Sequence, residues 1–434
     1  MKKIFTLMLL VLATLGAKAQ VEWTIWEGTT TGNNVSLTPQ DFTNIAQDDI
    51  LYIYASGTTD KGLAKQTGSG WDWNEISSGW TLTNDGENYY YTLTAENVST
   101  LTDSELKAFI VKNSNNSGTI SKVTIKKKNS MIKTELSNAE VSFGNWNNGY
   151  WSIDNSAALS KVVTGDYFYI PATRQTGKYT EDNEEKDITY WQAQIYDGTN
   201  DEATWKYSIN SFSHDMWAQV QSSDVSNITS NKISANGQFY NCTGLYIYHP
   251  LTSFSIGSIG MATFSADVAV RVPAGIEAYY ATLNGAKTAI TLTKIEDGII
   301  PANTGVIIKG TEGTVVEFTA TTTENSVTSA LSANVSATTM TDGDYVLYDN
   351  GGTAEFRKVT ATQLAANKAF LPASNIAGAP SLSISFDGMG NATGISNVQK
   401  TVVEDNRIYN LNGQEVKNAG KGIFIKNGKK YIIK

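Results

Sequence analysis

The sequence has 434 residues, a formal net charge of −9 and a single cysteine. The negative charge argues against nucleic acid and anionic lipid as partners, and one cysteine excludes an intramolecular disulfide. Thr, Ser, Asn, Gly, Tyr and Trp are abundant, whereas Pro and His are scarce. This composition favours strands joined by polar turns.

The first residues predict a secretory signal peptide over 1–19. Lys2 and Lys3 precede an apolar run, and Ala17-Lys18-Ala19 supplies small residues for a peptidase. The apolar run is too short to span a bilayer, and no later stretch reaches that length. We therefore expect a mature chain from Gln20, with no membrane-spanning segment, that is secreted or held on the outer cell surface.

Strand-like runs dominate the rest of the chain and are bounded by Gly, Asn and Asp. The clearest are 49–56, 89–95, 107–112 and 119–127. Helical patterns longer than two turns are scarce. The predicted fold class is all-β, with tandem β-sandwich (jelly-roll-like) domains and a small C-terminal β tail domain.

An internal repeat is visible when Val21–Lys128 is aligned with Val141–Leu251. The alignment rests on two anchors in the same order: 49–53 with 166–170, and 93–102 with 220–229. Extra residues in the second copy, 174–190, are expected to form a surface loop.

These patterns together predict six segments. They are a signal peptide (1–19), a first sandwich (20–130), a second sandwich (131–251), a third sandwich acting as a spacer (252–390), a linker (391–400) and a C-terminal sorting-type β domain (401–434).

Short sequence segments of the chain resemble those of known families. The tail, with "IYNLNGQ", "KGIFI" and "GKKYIIK", resembles the type A C-terminal sorting domain of the bacterial type IX secretion system. That resemblance implies passage through the outer membrane, with the secretion machinery as a partner. The two Trp-bearing copies, with "TIWEG" and "FGNWNNGYW", resemble jelly-roll modules of the galactose-binding-like, carbohydrate-binding type, which implies a glycan partner.

The distribution of Trp is the main functional signal, because all ten Trp fall between Trp23 and Trp217. Sugar rings stack on exposed aromatic side chains, and folding alone does not favour leaving a Trp exposed. In the first copy the predicted glycan contacts are Trp71, Trp73 and Trp80, with Asp72, Asn74 and Glu75 as polar neighbours. The alternative is that some of these rings belong to the core.

In the second copy, the predicted glycan contacts are Trp146, Trp151, Gln192, Gln194 and Trp217. Side chains alternate along a strand, so Trp191 is expected in the core while Gln192 and Gln194 face outward. Trp26 is likewise expected in the core.

Catalytic and metal-binding patterns are absent from the sequence. His214 and His249 are the only histidines, and neither a G-x-S-x-G elbow nor an H-E-x-x-H helix occurs. Cys242 lies among aromatic residues and is expected to be a buried apolar residue. We expect no enzymatic activity and no cofactor. At the acidic turns 84–88, 181–187 and 341–345 we favour solvated turns over structural calcium sites.

Three functions are compatible with these sequence patterns. The first is a non-catalytic extracellular or cell-surface protein that binds a polysaccharide through exposed Trp platforms. The second is a structural or adhesive surface protein that binds other proteins, with the Trp residues in cores. The third is a polysaccharide-degrading enzyme, because a pair of carboxylates has no linear signature.

Overall fold

The fold is given by a computed structural model. It describes residues 21–31, 33–57, 61–67, 73–75, 82–86, 88–113, 118–145, 150–153, 156–197, 206–210, 214–230, 232–323, 325–387, 408–410, 415–416, 420–426 and 429–433. Within these ranges strands prevail and helices are short, which confirms the predicted all-β class. The predicted signal peptide and linker lie outside the described residues.

The first copy (21–128) is a sandwich of two antiparallel sheets. Its strands are β1 (Glu22–Thr31), β2 (Val35–Leu37), β3 (Ile50–Ser56), β4 (Lys61–Thr67), β5 (Trp73–Glu75), β6 (Thr83–Asn84), β7 (Tyr89–Thr92), β8 (Leu106–Asn113) and β9 (Thr119–Lys126), with a 3-10 turn at Pro39–Phe42 and helix α1 at Ala95–Leu101. One sheet has the order β1-β9-β3-β7-β6 and the other the order β2-β8-β4-β5. Ile53, Phe109 and Val123 are buried between the two sheets.

The second copy (130–251) has more strands. They are β10 (Ser130–Ser137), β11 (Val141–Phe143), β12 (Tyr150–Ile153), β13 (Tyr167–Ile170), β14 (Ala172–Arg174), β15 (Lys178–Glu181), β16 (Glu184–Asp187), β17 (Gln192–Asp197), β18 (Lys206–Asn210), β19 (Met216–Gln219), β20 (Ile233–Gln238), β21 (Tyr240–Cys242) and β22 (Leu245–Leu251), with helices α2 (Ser156–Leu159) and α3 (Val225–Ser230). Its core lies between the sheet strands β19-β13-β22-β10 and the sheet β12-β20-β17-β18.

The two copies have the same strand order, as the predicted internal repeat requires. The order β7-β3-β9-β1 in the first copy corresponds to β19-β13-β22-β10 in the second, and β2-β8-β4-β5 corresponds to β12-β20-β17-β18. The second copy therefore begins at β10. The sequence alignment, which began the repeat at Val141, missed this strand because β1 and β10 share little sequence.

Equivalent residues of the two copies make equivalent contacts. The Ala46 N–H donates to the Asp49 carboxylate (2.9 Å), and the Val163 N–H donates to the Asp166 carboxylate (3.0 Å). Both carboxylates are buried at the start of a central strand. Each one closes the turn that leads into its strand, as a short polar side chain does when it bonds nearby backbone.

The insertion in the second copy lies at the surface, as expected, and it forms a β-hairpin. Strands β15 and β16 pair antiparallel across Asp182 and Asn183. These two residues have φ angles of 55° and 64°. Two consecutive positive φ angles match the twist of the flanking strands, and Asp and Asn tolerate them.

The third region (254–386) continues the sheet of the second copy. Its strands are β23 (Met261–Phe264), β24 (Val270–Arg271), β25 (Glu277–Leu283), β26 (Ala289–Lys294), β27 (Ile299–Ile300), β28 (Val306–Lys309), β29 (Glu317–Ala320), β30 (Ser332–Asn334), β31 (Thr338–Thr339), β32 (Tyr345–Asp349), β33 (Ala354–Lys358), β34 (Gln363–Leu364), β35 (Lys368–Phe370) and β36 (Ser381–Phe386), with a 3-10 turn at Ala373–Asn375. Parallel pairing of β29 with β10 joins β29, β24 and β27 to the second copy. The other large sheet has the order β23-β28-β25-β26-β36-β33-β32.

The first two copies meet around Trp23, which is fully buried. Its ring centroid lies 5.1–5.6 Å from those of Tyr167, Tyr169, Trp217 and Tyr248 of the second copy. Aromatic pairs at such distances contribute stability beyond the area they bury. The two sandwiches therefore pack through a shared aromatic cluster.

The tail is a separate compact unit, residues 387–434. It contains β37 (Ile408–Tyr409), β38 (Gly422–Lys426) and β39 (Lys429–Ile433) in one antiparallel sheet. Strands β38 and β39 pair antiparallel, with Lys426 opposite Lys429. Among the described residues, no helix is long and apolar enough to cross a membrane.

Candidate ligand-binding face

The sheet β12-β20-β17-β18 of the second copy has one face in the core and one face directed away from it. On β17, Ala193 and Ile195 belong to the core, whereas Gln192 and Gln194 lie on the other face and are half-buried. Half-buried Trp191 packs against the core. The orientation predicted for this strand is therefore confirmed, and binding by the two glutamines stays a prediction.

The neighbouring strand places further amides beside these two glutamines. Gln238 is directly opposite Gln192, and Asn236 is directly opposite Gln194. Directly opposite residues share a face, so the four amides form a two-by-two array. We call Gln192, Gln194, Asn236 and Gln238 the amide array.

One atom of the amide array has an unused hydrogen-bonding capacity. The Asn236 side chain is only 2 % exposed, and its Oδ1 atom has no hydrogen-bond partner in the described part of the chain. Buried polar groups are almost always hydrogen-bonded, so each exception calls for an explanation. A ligand hydroxyl that donates to Oδ1 would satisfy it.

The two outer strands of this sheet, β12 and β18, carry polar residues at the positions opposite the amide array. Asn210 is opposite Gln192 and Ser208 is opposite Gln194 on β18, while Tyr150 is opposite Asn236 on β12. The backbone thus places a row of polar residues across all four strands.

A glycine allows the strands of the amide array to approach closely. A Cβ atom on Gly237 would lie 2.3 Å from the Gln192 carbonyl oxygen and 2.9 Å from the Phe143 ring. Neither distance is compatible with van der Waals packing. Gly237 is therefore required for the pairing that positions Asn236 and Gln238.

At one end of the array, the indole of Trp191 is held by neighbouring groups. Its Nε1–H donates to the Gln175 carbonyl (2.9 Å), and the Arg174 guanidinium lies 4.2 Å from the ring centroid. One face of this ring is thus covered by a cation–π contact.

The equivalent sheet in the first copy has a different surface. Gln66 on β4 pairs with Ala108 on one side and with Trp73 on the other. Ala64, Ala108 and Ile110 form a small buried cluster separate from the main core. By register, Trp73 lies on the face that carries this cluster.

The structure describes only part of the predicted glycan site. Trp71, Asp72, Trp80 and Trp146 lie outside the described residues. For Trp73, Asn74, Glu75 and Trp151 it describes the backbone, in strands β5 and β12. Glycan binding by these residues stays a prediction.

Trp217 requires a correction. Its neighbours Met216 and Ala218 point into the core of the second copy, and Trp217 points to the opposite side of β19. There the first copy covers it, and its exposure is 0 %. A fully covered ring cannot stack on a sugar, so Trp217 is a packing residue. No local sequence pattern indicates this contact, because it joins residues far apart in the chain.

Carboxylates in two of the acidic turns make contacts within the protein. In the 181–187 hairpin, Glu181 lies 2.7 Å from Lys186. In the 341–345 turn, the Asp344 carboxylate accepts the Thr341 N–H (2.9 Å). No cluster of three or more His, Cys, Asp or Glu side chains suited to a metal occurs within the described ranges.

Two further titratable side chains of the second copy are paired or buried. His214 lies 3.2 Å from Asp215 and 3.4 Å from Glu27. Cys242 is buried, as predicted, and its burial raises the pKa of the thiol. A buried thiol with a raised pKa is a poor nucleophile.

In comparisons with known proteins, no protein-family model and no curated protein matches this sequence. Function must therefore be inferred from the amide array and from the Trp-bearing copies.

Proposed function

We propose that this protein is a non-catalytic extracellular or cell-surface glycan-binding protein, and that the amide array of the second copy contacts the ligand. The observation that carries the proposal is the buried, unpartnered Oδ1 atom of Asn236 beside three further side-chain amides. Amides both donate and accept hydrogen bonds, which matches the hydroxyl groups of a sugar.

The aromatic residues of the first copy support the same function. Trp73 lies by register on a face apart from the main core, and the indole face stacks on the C–H groups of a sugar ring. Two weak sites on one chain bind a polysaccharide more tightly than either alone, because the second contact is intramolecular.

The proposal is tested by affinity electrophoresis of the mature protein in gels containing xyloglucan, yeast mannan or mucin. We expect retardation in at least one of these gels. The double substitution Gln192→Ala and Gln194→Ala removes two hydrogen bonds to the ligand. Their loss costs about 1–3 kcal/mol, which corresponds to roughly a 5- to 150-fold weaker affinity.

Gln221→Ala is the matched control, because Gln221 is an exposed glutamine outside the array. It should leave the retardation unchanged. Equal retardation of the double variant and the wild type would show that the amide array does not contact the ligand. Unchanged mobility in every gel would reject the glycan proposal.

A second function has its own supporting observation. Trp23 and Trp217 fill the contact between the two copies, so part of the Trp content serves packing. This favours a structural or adhesive protein that binds other proteins. Unchanged mobility in all three gels, together with retention on immobilised fibronectin or mucin peptide backbone, would support it.

We also propose that the tail directs export, as its resemblance to a sorting domain implies. Ile423 and Ile432 are paired on the tail sheet, and both are exposed, as is Ile425. Such apolar surface is typical of a site that binds a partner. Deletion of 401–434 should leave the protein inside the cell envelope, and secretion of the truncated chain at the wild-type level would contradict the proposal.

A further inference from the structure

Lys127 and Asp49 form an enclosed ion pair in the first copy. The Lys127 Nζ atom lies 2.5 Å from Asp49 Oδ2, and the two side chains are 3 % and 0 % exposed. The rings of Trp23 and Tyr167 lie 5.1 and 5.2 Å from Nζ. Water has little access to either charged group.

Burial makes the charged form of this pair costly. Removing an ammonium and a carboxylate from water carries a desolvation penalty that a neutral amide between the same groups avoids. Burial lowers the pKa of the Lys127 ammonium, against the opposing attraction of Asp49. This shift increases the fraction of neutral amine, which is the nucleophilic form.

We propose that Lys127 and Asp49 condense to an amide cross-link. The ammonium transfers one proton to Asp49 Oδ2, and the Nζ lone pair attacks Asp49 Cγ. The Nζ–Cγ bond forms, the Cγ–Oδ2 bond breaks, and the oxygen leaves as water with two hydrogens from Nζ. The reaction needs neither an oxidant nor a second substrate.

Neighbouring backbone groups are placed to assist the reaction. The Ala46 N–H donates to Oδ2 (2.9 Å), and the Lys128 N–H donates to Oδ1 (3.1 Å). Fixed donors of this kind stabilise the negative charge that develops on a carboxyl oxygen during attack. The 2.5 Å contact also supplies the proximity that makes an intramolecular reaction fast.

The second copy provides an internal comparison. The residue equivalent to Lys127 is His249, whose Nδ1 lies 2.7 Å from Asp166 Oδ1. An imidazole nitrogen does not form a stable amide. The cross-link is therefore expected in the first copy alone, where it would join the start of β3 to the end of β9.

The test is mass spectrometry of the purified wild-type protein. We expect an intact mass lower than that of the chain by one water molecule. After unfolding and chymotrypsin digestion, we expect a linked peptide pair containing Asp49 and Lys127. The linked pair separates this cross-link from dehydration elsewhere in the chain.

Lys127→Arg is the control, because it keeps the positive charge and lacks the amine. Its mass should equal that of the sequence, with no linked pair. Recovery of the two wild-type peptides unlinked and at full mass would overturn the proposal. This result is decisive even if the variant fails to fold, because it comes from the wild-type protein. A linked pair that has lost ammonia and joins Lys127 to Asn44 would also overturn it.

Discussion

Asp215 is the residue on which the contact between the two copies depends most. Its carboxylate is buried and accepts hydrogen bonds from the Thr24 N–H of the first copy (2.8 Å) and from the Tyr169 hydroxyl (2.7 Å). The Asp215 N–H in turn donates to the Thr24 carbonyl (3.0 Å). Because β1 is the edge strand of its sheet, Asp215 satisfies backbone groups that no neighbouring strand pairs.

The cost of Asp215→Ala follows from these contacts. The substitution leaves the Thr24 N–H, the Tyr169 hydroxyl and the Ala172 N–H without their acceptor. A buried donor without a partner costs about 1–3 kcal/mol, so three of them cost about 6 kcal/mol. We expect the free energy of unfolding to fall by about this amount.

The duplication supplies a matched control. Asn88 occupies the position in the first copy that Asp215 occupies in the second. Its Oδ1 accepts the Ala55 N–H (3.2 Å), just as Asp215 Oδ1 accepts the Ala172 N–H (3.3 Å). Asn88→Ala removes this half-buried contact without affecting the contact between the copies, and should cost about 1 kcal/mol.

Urea unfolding followed by Trp fluorescence measures both variants. Trp23 and Trp217 lie at the contact, so their emission reports on its opening. The midpoint of Asp215→Ala should fall well below that of Asn88→Ala. Equal midpoints for the two variants would refute the idea that Asp215 holds the copies together.

His249, Gly237 and Cys242 each provide a further test. The hydrogen bond to Asp166 raises the pKa of His249. The contact therefore stabilises the fold fully below about pH 6.5, and this stabilisation is lost as the pH rises through the folded-state pKa. Because His249 is partly exposed, His249→Gln should lower the free energy of unfolding by about 0.5–1 kcal/mol at about pH 5.5, and by less at about pH 8.5, as measured by thermal unfolding. A larger loss of stability at the higher pH would contradict this pH dependence. Gly237→Ala should destabilise by about 2–4 kcal/mol, because the new Cβ meets the Gln192 carbonyl; a wild-type urea midpoint would show that β20 shifts freely. Iodoacetamide should modify Cys242 only after unfolding, and rapid labelling of the folded protein would contradict its burial.

Local patterns predicted much of the fold. The runs 49–53 and 166–170 became the central strands β3 and β13, because continuous apolar sequence suits a strand between two neighbours. The alternation of apolar residues and glutamines along 191–195 predicted which side of β17 faces the core. These features depend on residues close together in the chain, so the sequence carries their signal.

Long-range contacts could not be predicted in the same way. The parallel pairing of β10 with β29 places Ile132 opposite Phe318, so that one sheet of the second copy continues into the third region. Asn236 and Gln238 were missed as partners of the two glutamines, because strand register is set by the fold. The "NGQ" sequence around Gly237 indicates a polar strand, and only the pairing with β17 shows that it forms an array.

The divergence of the two copies explains why one Trp prediction failed. Tyr90 and Trp217 occupy equivalent positions, since each pairs with the equivalent tyrosine of its own central strand, Tyr52 or Tyr169. Tyr90 is half-buried and stacks on Tyr52, whereas Trp217 is fully covered by the first copy. Duplication thus placed the same aromatic face once at the surface and once in an interface. A Trp on this face serves the contact between the copies, so the glycan site that we propose for the second copy is on the opposite sheet, which carries the amide array.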